Sequence, residues 1–377
     1  MKKENKKVVT VFSIASFLND MGSDIIYPIW PLFVTSFLGA NMAVLGLIDG
    51  IGNAIVSISQ AVSGYVSDKI RKRKIFILSG YFFGSMSRIG YALSTAWQHL
   101  IPFRVLDRAG KMRGAPRDAF IADASTKKNR GRNFGLLRTM DNLGAVVGII
   151  ICILFFGQLG YRNLLFLAAI PSLIGVVLII VFIKERKVKG IYKGISLKDW
   201  SNNFKLFLLL SAIFALGSFS YSFLLVYAKE FGFETSFIPV LYLIFTVVAS
   251  IMALQFGKMA DRIGRRKVLI LSYIFFGLMC LGFLLVNSYY GIIILFILYG
   301  LHLGAFEPVQ KTFVSELSPV KYRASTLGTY QMIVGLCALP ASLIAGLLWT
   351  SIDKFAPFYF SLGLTVLAVI LMMLVKE

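Results

Sequence analysis

The chain has 377 residues, of which 57% are hydrophobic and 14% aromatic, with a formal net charge of +21 and a mean hydropathy of +0.77. Such a composition excludes an ordinary soluble domain and points to a membrane protein. The charge is not a nucleic-acid footprint, because its placement follows the apolar segments rather than a patch or a tail.

Apolar segments of about 20 residues, the length of a bilayer crossing, recur throughout the chain. Twelve are expected, at roughly 8–37, 43–67, 75–95, 98–123, 131–156, 161–183, 204–228, 236–260, 267–287, 289–315, 323–349 and 355–375. The first is too long for a signal peptide, carries acids and lacks a small-residue cleavage site. Its centre reads SFLNDMGSDIIYPIWPLF. Asp20 and Asp24 are four apart and share a helical face, and Pro28 and Pro31 should bend the end of the helix. The second segment ends in GYVSDKIRKRK, starting at Gly64.

The fourth segment contains FRVLDRAGKMRGAPRD, with Arg104, Asp107, Arg108, Lys111, Arg113, Arg117 and Asp118 inside an otherwise apolar span. The fifth opens with RTMDN, placing Arg138 and Asp141 on one face. A basic stretch at 184–203, containing Gly190 and Gly194, marks the boundary between an N-terminal bundle, 1–183, and a C-terminal bundle, 204–377. In the second half, GSFSYSFLLVYAKEF supplies Ser218, Ser220, Tyr221 and Tyr227, and YGLHLGAFEPVQK supplies His302, Glu307 and Lys311. Cys152, Cys280 and Cys337 lie inside apolar spans without paired spacing and read as packing residues.

Of the 39 Lys and Arg residues, 28 fall in one set of alternate loops and termini, three in the opposite set and eight inside spans. By the positive-inside rule both termini are cytoplasmic, in a multi-pass protein of the cell membrane.

A constant offset of 193 residues aligns the two halves. It carries Gly64 to Gly257, Asp68 to Asp261, Asp123 to Glu316, Arg130 to Arg323 and Gly135 to Gly328. The result is an all-α membrane protein of twelve transmembrane helices in two pseudo-symmetric six-helix bundles. Internal repetition of this kind marks secondary transporters. The same offset acts as a filter. It takes Asp20 to Ile213, Asp24 to Gly217, Arg88 to Leu281, Arg104 to Ile297, Asp107 to Gly300, Arg108 to Leu301, Lys111 to Gly304, Arg138 to Gln331 and Asp141 to Val334. An ionisable group at membrane depth costs at least about 2.5 kcal/mol, so unrepeated ones are candidates for substrate binding or ion coupling.

GYVSDKIRKRK and GKMADRIGRRK resemble the duplicated G-x-x-x-D-R-x-G-R-R signature of the major facilitator superfamily. The first copy departs from it, with Lys69 for the first Arg and Arg71 for the Gly. FLNDMGSDIIYP, DRAGKMRGAPRDAFIAD and GLLRTMDNLGAVVG are similar to a prokaryotic branch related to drug and proton antiporters. The resemblance implies a fold in which helices 1, 4, 7 and 10 line a central cavity, with helix 5 packed beside helices 1 and 4. It also implies alternating access and a latch at Gly64, Asp68, Arg71, Gly257, Asp261, Arg262 and Arg265. The coupling and cavity candidates are Asp20, Asp24, Arg104, Asp107, Arg108, Lys111, Arg138, Asp141 and, from the second half, Glu307. Antiporters carry G-x-x-x-G-P in helix 5, whereas here Gly144 and Gly148 precede Ile149.

The expected function is proton-coupled transport of a small amphipathic organic solute by a monomer, with export ahead of import of an organic anion. A non-transporting membrane sensor or scaffold of the same fold is the rival. No nucleotide-binding Gly loop and no metal-ligand cluster occurs in the sequence, so an enzyme, a cofactor, a metal and a nucleic-acid partner are not expected.

Overall fold

The computed structural model describes residues 3–126, 129–185, 200–318 and 323–376. Twelve helices are present among them. The first, α1 (Lys3–Ile26), is followed by a short turn of helix, Trp30–Leu32, and a π-helical turn, Phe33–Phe37. Pro28 ends the regular helix, as a residue without an amide hydrogen should. Next come α2 (Met42–Lys69) and α3 (Lys74–Leu93). Helix α4 is built in three pieces: Leu100–Ala109, a 3-10 turn Gly110–Arg113, and Gly114–Asp123.

Helices α5 and α6 form one run, Arg130–Phe182, divided at Gly160, whose φ of 64° only glycine adopts without strain. Helix α7 is also divided, into Asn202–Gly217 and Ser222–Phe231, with Ser201 capping its start. The chain continues through α8 (Ile238–Ile263), α9 (Arg265–Leu285), α10 (Tyr289–Leu317), α11 (Arg323–Ser351) and α12 (Ala356–Leu374).

Eight helical runs are long and apolar enough to cross a membrane by length and composition alone, and one of these, 132–182, contains both α5 and α6. Helices α1, α3 and α4 fall outside that criterion. For α1 and α4 the reason is visible, since both carry charges through their middle and α4 is split into short pieces.

Two compact units result. One comprises Met1–Gly39 and Ile55–Tyr192, the other Ala40–Ala54 and Lys193–Glu377. In the first unit, α1 and α3 lie against the α5–α6 run and α4 packs on α3. Its apolar core joins Phe12, Tyr81, Phe120, Leu137 and Ile179, all at most 2% exposed. In the second, α8 and α9 pack on α10, while α7 and α9 pack on α12. An aromatic cluster there links Phe214 to Tyr273, Phe276, His302 and Phe306. His302 is 2% exposed and its Nδ1 donates to Ser272 O at 2.9 Å. It is thereby a satisfied packing residue.

Lipid is as apolar as a leucine side chain, so close helix approach here depends on small residues and polar contacts rather than on burial. The site depends on two such approaches. A Cβ at Gly80 would stand 2.5 Å from Gly110 O and 2.7 Å from Arg113 Cβ, so α3 and α4 touch backbone to backbone. Gly144 and Gly148 of α5 likewise meet the carbonyls of Phe17 and Met21 on α1, which is the close packing their spacing implies.

The proposed linker at 184–203 falls, for residues 186–199, outside the described residues.

Candidate functional site: a charge cluster in the first unit

Glycine contact brings α1, α3, α4 and α5 close enough for short polar bridges, and the charges of FRVLDRAGKMRGAPRD find their neighbours there. They form two layers along α4. In the layer nearer the α4 N-terminus, the Arg104 guanidinium lies over the Trp30 ring at 4.3 Å and that of Arg108 over Tyr27 at 5.1 Å. Arg108 also donates from Nη1 to the Tyr27 hydroxyl at 3.1 Å, and its Nε stands 3.5 Å from Asp107. Trp30 and Arg104 are buried, whereas Tyr27, Asp107, Arg108 and Lys111 are half-buried. Asp24 is buried on α1 at 8% exposure.

In the second layer, Arg113 lies over Tyr81 at 4.8 Å and reaches Asp20 at 3.8 Å. Asn19 donates to Asp20 at 2.9 Å. Arg117 contacts Ser16 and Asp118, at 2.5 and 3.1 Å, and stands 3.9 Å from Asp141. Arg138 approaches Asp141 at 3.6 Å, although its own side chain is 67% exposed. The acids of α1 and α5 therefore do meet the cations of α4, but Asp20, Asp107 and Asp141 sit 3.5–3.9 Å from their nearest arginines. Charge-assisted hydrogen bonds close to about 2.7–2.9 Å. These three acids are thus neighbours of arginines without a tight bond to them.

Arg88 of α3 was passed over as a site residue by the charge-pattern reasoning, and it holds this region together. At 2% exposure it donates to Ala168 O and Asn19 O, both at 3.1 Å, to Ser23 Oγ at 2.8 Å and to Ser172 Oγ. All these acceptors are neutral, so no opposite charge in the sequence signals them. The available signal was the lack of a charged counterpart at Leu281.

The signature turns resolve differently in the two copies. Asp261 and Glu316 both bind Arg265, at 2.8 and 3.1 Å. In the first copy Arg73 binds Asp123, the repeat partner of Glu316, at 2.5 Å, and the amides of Arg73 and Lys74 donate to Glu185 at the start of α3. Arg71 stands where Gly264 stands in the second copy, and both have positive φ, 57° at Arg71 and 98° at Gly264. Lys72 N donates to Ser67 O at 3.2 Å, the six-to-one bond that closes a Schellman turn. A Cβ at Gly64 would meet Ala115 at 3.3 Å, whereas Gly257 has nothing within 4 Å. Close approach therefore accounts for Gly64 alone. Arg262 is exposed. Asp68 lies in α2, and its side chain is outside the described residues.

In the second unit Glu307 and Lys311 are exposed on α10. That unit also contains a carboxylate the span reading overlooked. Asp49, 2% exposed, accepts from Ser220 at 2.7 Å and from Ser222 at 2.5 Å across the break in α7. Its repeat position is Tyr242, so the offset filter could have found it. No group of three or more metal-ligating side chains occurs among the described residues.

Comparison with known proteins agrees with this architecture. The family model described as Major Facilitator Superfamily matches residues 12–197 and 206–377. An uncharacterized MFS-type transporter of Methanocaldococcus jannaschii is 38% identical over 92% of this chain and 89% of its own length. Multidrug resistance protein 1 of Bacillus subtilis is 25% identical over 96% of this chain and 94% of its own. Among solved structures, the nucleoside transporter NupG superposes with a TM-score of 0.82 at 16% identity, covering 98% of this chain and all of that one, a likeness of fold alone. With the duplicated signature, the twelve helices and a family match over both halves, the chain belongs to the Major Facilitator Superfamily and is a multi-pass membrane transporter.

Proposed function

We propose that this transporter is a proton-coupled secondary exporter of a small amphipathic organic solute, working as a monomer in the cell membrane by alternating access. Both termini and the 184–203 linker would face the cytoplasm, between bundles of residues 1–183 and 204–377. The observation that carries the coupling is the contrast in ion-pair length. Arg73–Asp123, Arg265–Asp261 and Arg265–Glu316, at the signature turns, close to 2.5–3.1 Å. Asp20, Asp107 and Asp141 lie 3.5–3.9 Å from their arginines. A carboxylate held loosely at membrane depth can exchange an arginine for a proton at low cost, and Asp20 has the Arg113 guanidinium as that exchangeable partner.

Asp20→Asn and Asp24→Asn variants in proteoliposomes test the coupling, with pyranine trapped inside to read solute-driven proton movement. The expected outcome is loss of proton movement and of uphill accumulation, with solute exchange retained. Proton movement unchanged from wild type in both variants would sink the coupling role. Import is the second reading, favoured by Ile149 where exporters carry proline after Gly144 and Gly148. Inside-out and right-side-out vesicles under the same pH gradient separate the two directions.

A further inference from the structure

The first unit carries a groove that the charge cluster does not use. Helix α6 is oriented by Arg88, which donates to Ala168 O and Ser172 Oγ on one of its faces. Positions 166, 170 and 174 lie on the opposite face, and Phe166, Ile170 and Ile174 are exposed there. Alongside them runs a groove of about 490 Å³ between α3 and α6, a volume that suits a small ligand. Its apolar walls include Ile89 of α3, Leu159, and Phe166, Leu167, Ile170 and Leu173 of α6, and its polar side chain is the exposed Asn163. From Asn163 to Leu173 α6 rises about 15 Å, half of the roughly 30 Å of hydrocarbon in a bilayer. The groove is therefore one leaflet deep. At its Asn163 end α3 stops at Leu93 and α5 gives way to α6 at Gly160, and Trp97 and Tyr161 supply rings of the kind found at headgroup level. Arg162 joins the two walls there. It is rooted on α6 one turn before Phe166, and its Nη2 donates to Ser94 O, at the end of α3, over a long 3.5 Å. The exposed guanidinium stands 5.6 Å from the Phe37 ring centre. The segments that meet here, 25–48, 69–106 and 142–184, contain no Asp or Glu, and Arg162 makes no ion pair among the described residues.

We infer that this groove binds one anionic phospholipid, its acyl chain lying along α6 from Asn163 to Leu173 and its phosphate against Arg162. The inference goes beyond the transport reading and needs only that the chain spans a membrane. A lipid fits better than a second copy of the chain, because an apolar trough one leaflet deep ends in a single cation that no acid answers. A guanidinium offers a phosphate two parallel donors, and Asn163, the next residue, offers a donor to the ester carbonyl of the chain. An anionic head is favoured over a zwitterionic one because the ammonium of the latter would stand beside Arg162 and be repelled by it.

The test offers full-length protein in mild detergent equal amounts of dioleoylphosphatidylglycerol and dioleoylphosphatidylcholine, and reads the bound lipid by native mass spectrometry. One phosphatidylglycerol should stay bound, about fivefold above phosphatidylcholine, the factor expected of one cation at a membrane surface. Arg162→Gln should erase that preference, whereas Arg162→Lys should keep most of it and so show that a protein altered at this position folds. Ile170→Trp, which puts a ring into the trough from an exposed position, should lower retention of both lipids. Lys354→Gln removes a cation elsewhere and should leave the preference as it is. Retention of neither lipid or of both equally by the wild type would overturn the assignment. So would a preference that survives Arg162→Gln or is lost equally in Lys354→Gln, retention untouched by Ile170→Trp, displacement of the lipid by inorganic phosphate, or a dimer that Ile170→Trp disperses.

Discussion

Replacing Gly80 by alanine places a methyl group 2.5 Å from Gly110 O and 2.7 Å from Arg113 Cβ. The first separation falls short by about 0.9 Å of the 3.4 Å at which ordinary contact begins, and the obstructing atom is backbone, which cannot rotate aside. Helix α4 must therefore move away from α3. Overpacking of this kind costs about 1–3 kcal/mol, against a gain of up to about 1 kcal/mol for removing a glycine from a helix. The net is a destabilisation on the order of 1–2 kcal/mol. Gly135→Ala is the control, because nothing lies within 4 Å of its Cβ and only the propensity gain remains. A unit of this size shifts by about 2–4 °C per kcal/mol, so a thermal melt in detergent should show opposite signs at the two positions. A Cβ at Gly110 would stand 2.7 Å from Gly80 O, in the same contact. Once α4 has moved for one substitution the second is cheaper, so the double variant should lose less than the two single losses combined. Stability of Gly80→Ala equal to or above wild type, or strict additivity of the pair, would refute the backbone contact as the element that seats Arg113 over Tyr81.

Arg71→Gly should stabilise the protein by roughly 0.5–1 kcal/mol, since relief of a left-handed residue, about 1–2 kcal/mol, exceeds the entropy of the new glycine; Gly264→Ala should lower the melting temperature, and a gain there would contradict the turn. Arg88→Met leaves four acceptors on α1 and α6 without their donor and, at about 0.6–2 kcal/mol per membrane hydrogen bond, should cost on the order of 2–4 kcal/mol, read as the shift in a detergent melt. Glu316→Gln together with Asp261→Asn should alter the rate of solute exchange more than solute affinity, and a pure affinity loss in binding titrations would count against a latch. A cysteine introduced as Gly190→Cys should resist a membrane-impermeant maleimide in intact cells and react once they are opened; labelling from outside would invert the topology.

The helix number was legible because hydropathy repeats at bilayer length, and the repeat because an offset of 193 fits glycines and acids at once. The α1–α4–α5 cluster was legible for a related reason: charge at membrane depth must be answered nearby, so Asp20 and Asp141 were bound to stand near Arg113 and Arg117. What the reading missed was polar without being paired in charge. Arg88 is satisfied by carbonyls and hydroxyls, which carry no pattern in a string of letters. Asp49 escaped in the same way, its partners being two serines at the break in α7. That break, at GSFSYS, and the 3-10 turn of α4 at GKMR are local departures from α geometry inside segments that the span reading treats as single helices. Glu307 and Arg138, sited by sequence among the cavity candidates, are both exposed.

The positive φ shared by Arg71 and Gly264 means that this chain carries two readings of one blueprint in a single gene. Where the copies differ at a position with no part in binding or coupling, the better-suited residue can be transplanted from one half to the other, as a consensus of two. Arg71 is the plainest case, because it holds a positive φ where its twin position has glycine. Scanning the 193-residue offset for further mismatches of this sort would yield stabilising substitutions for a membrane protein without recourse to any other sequence.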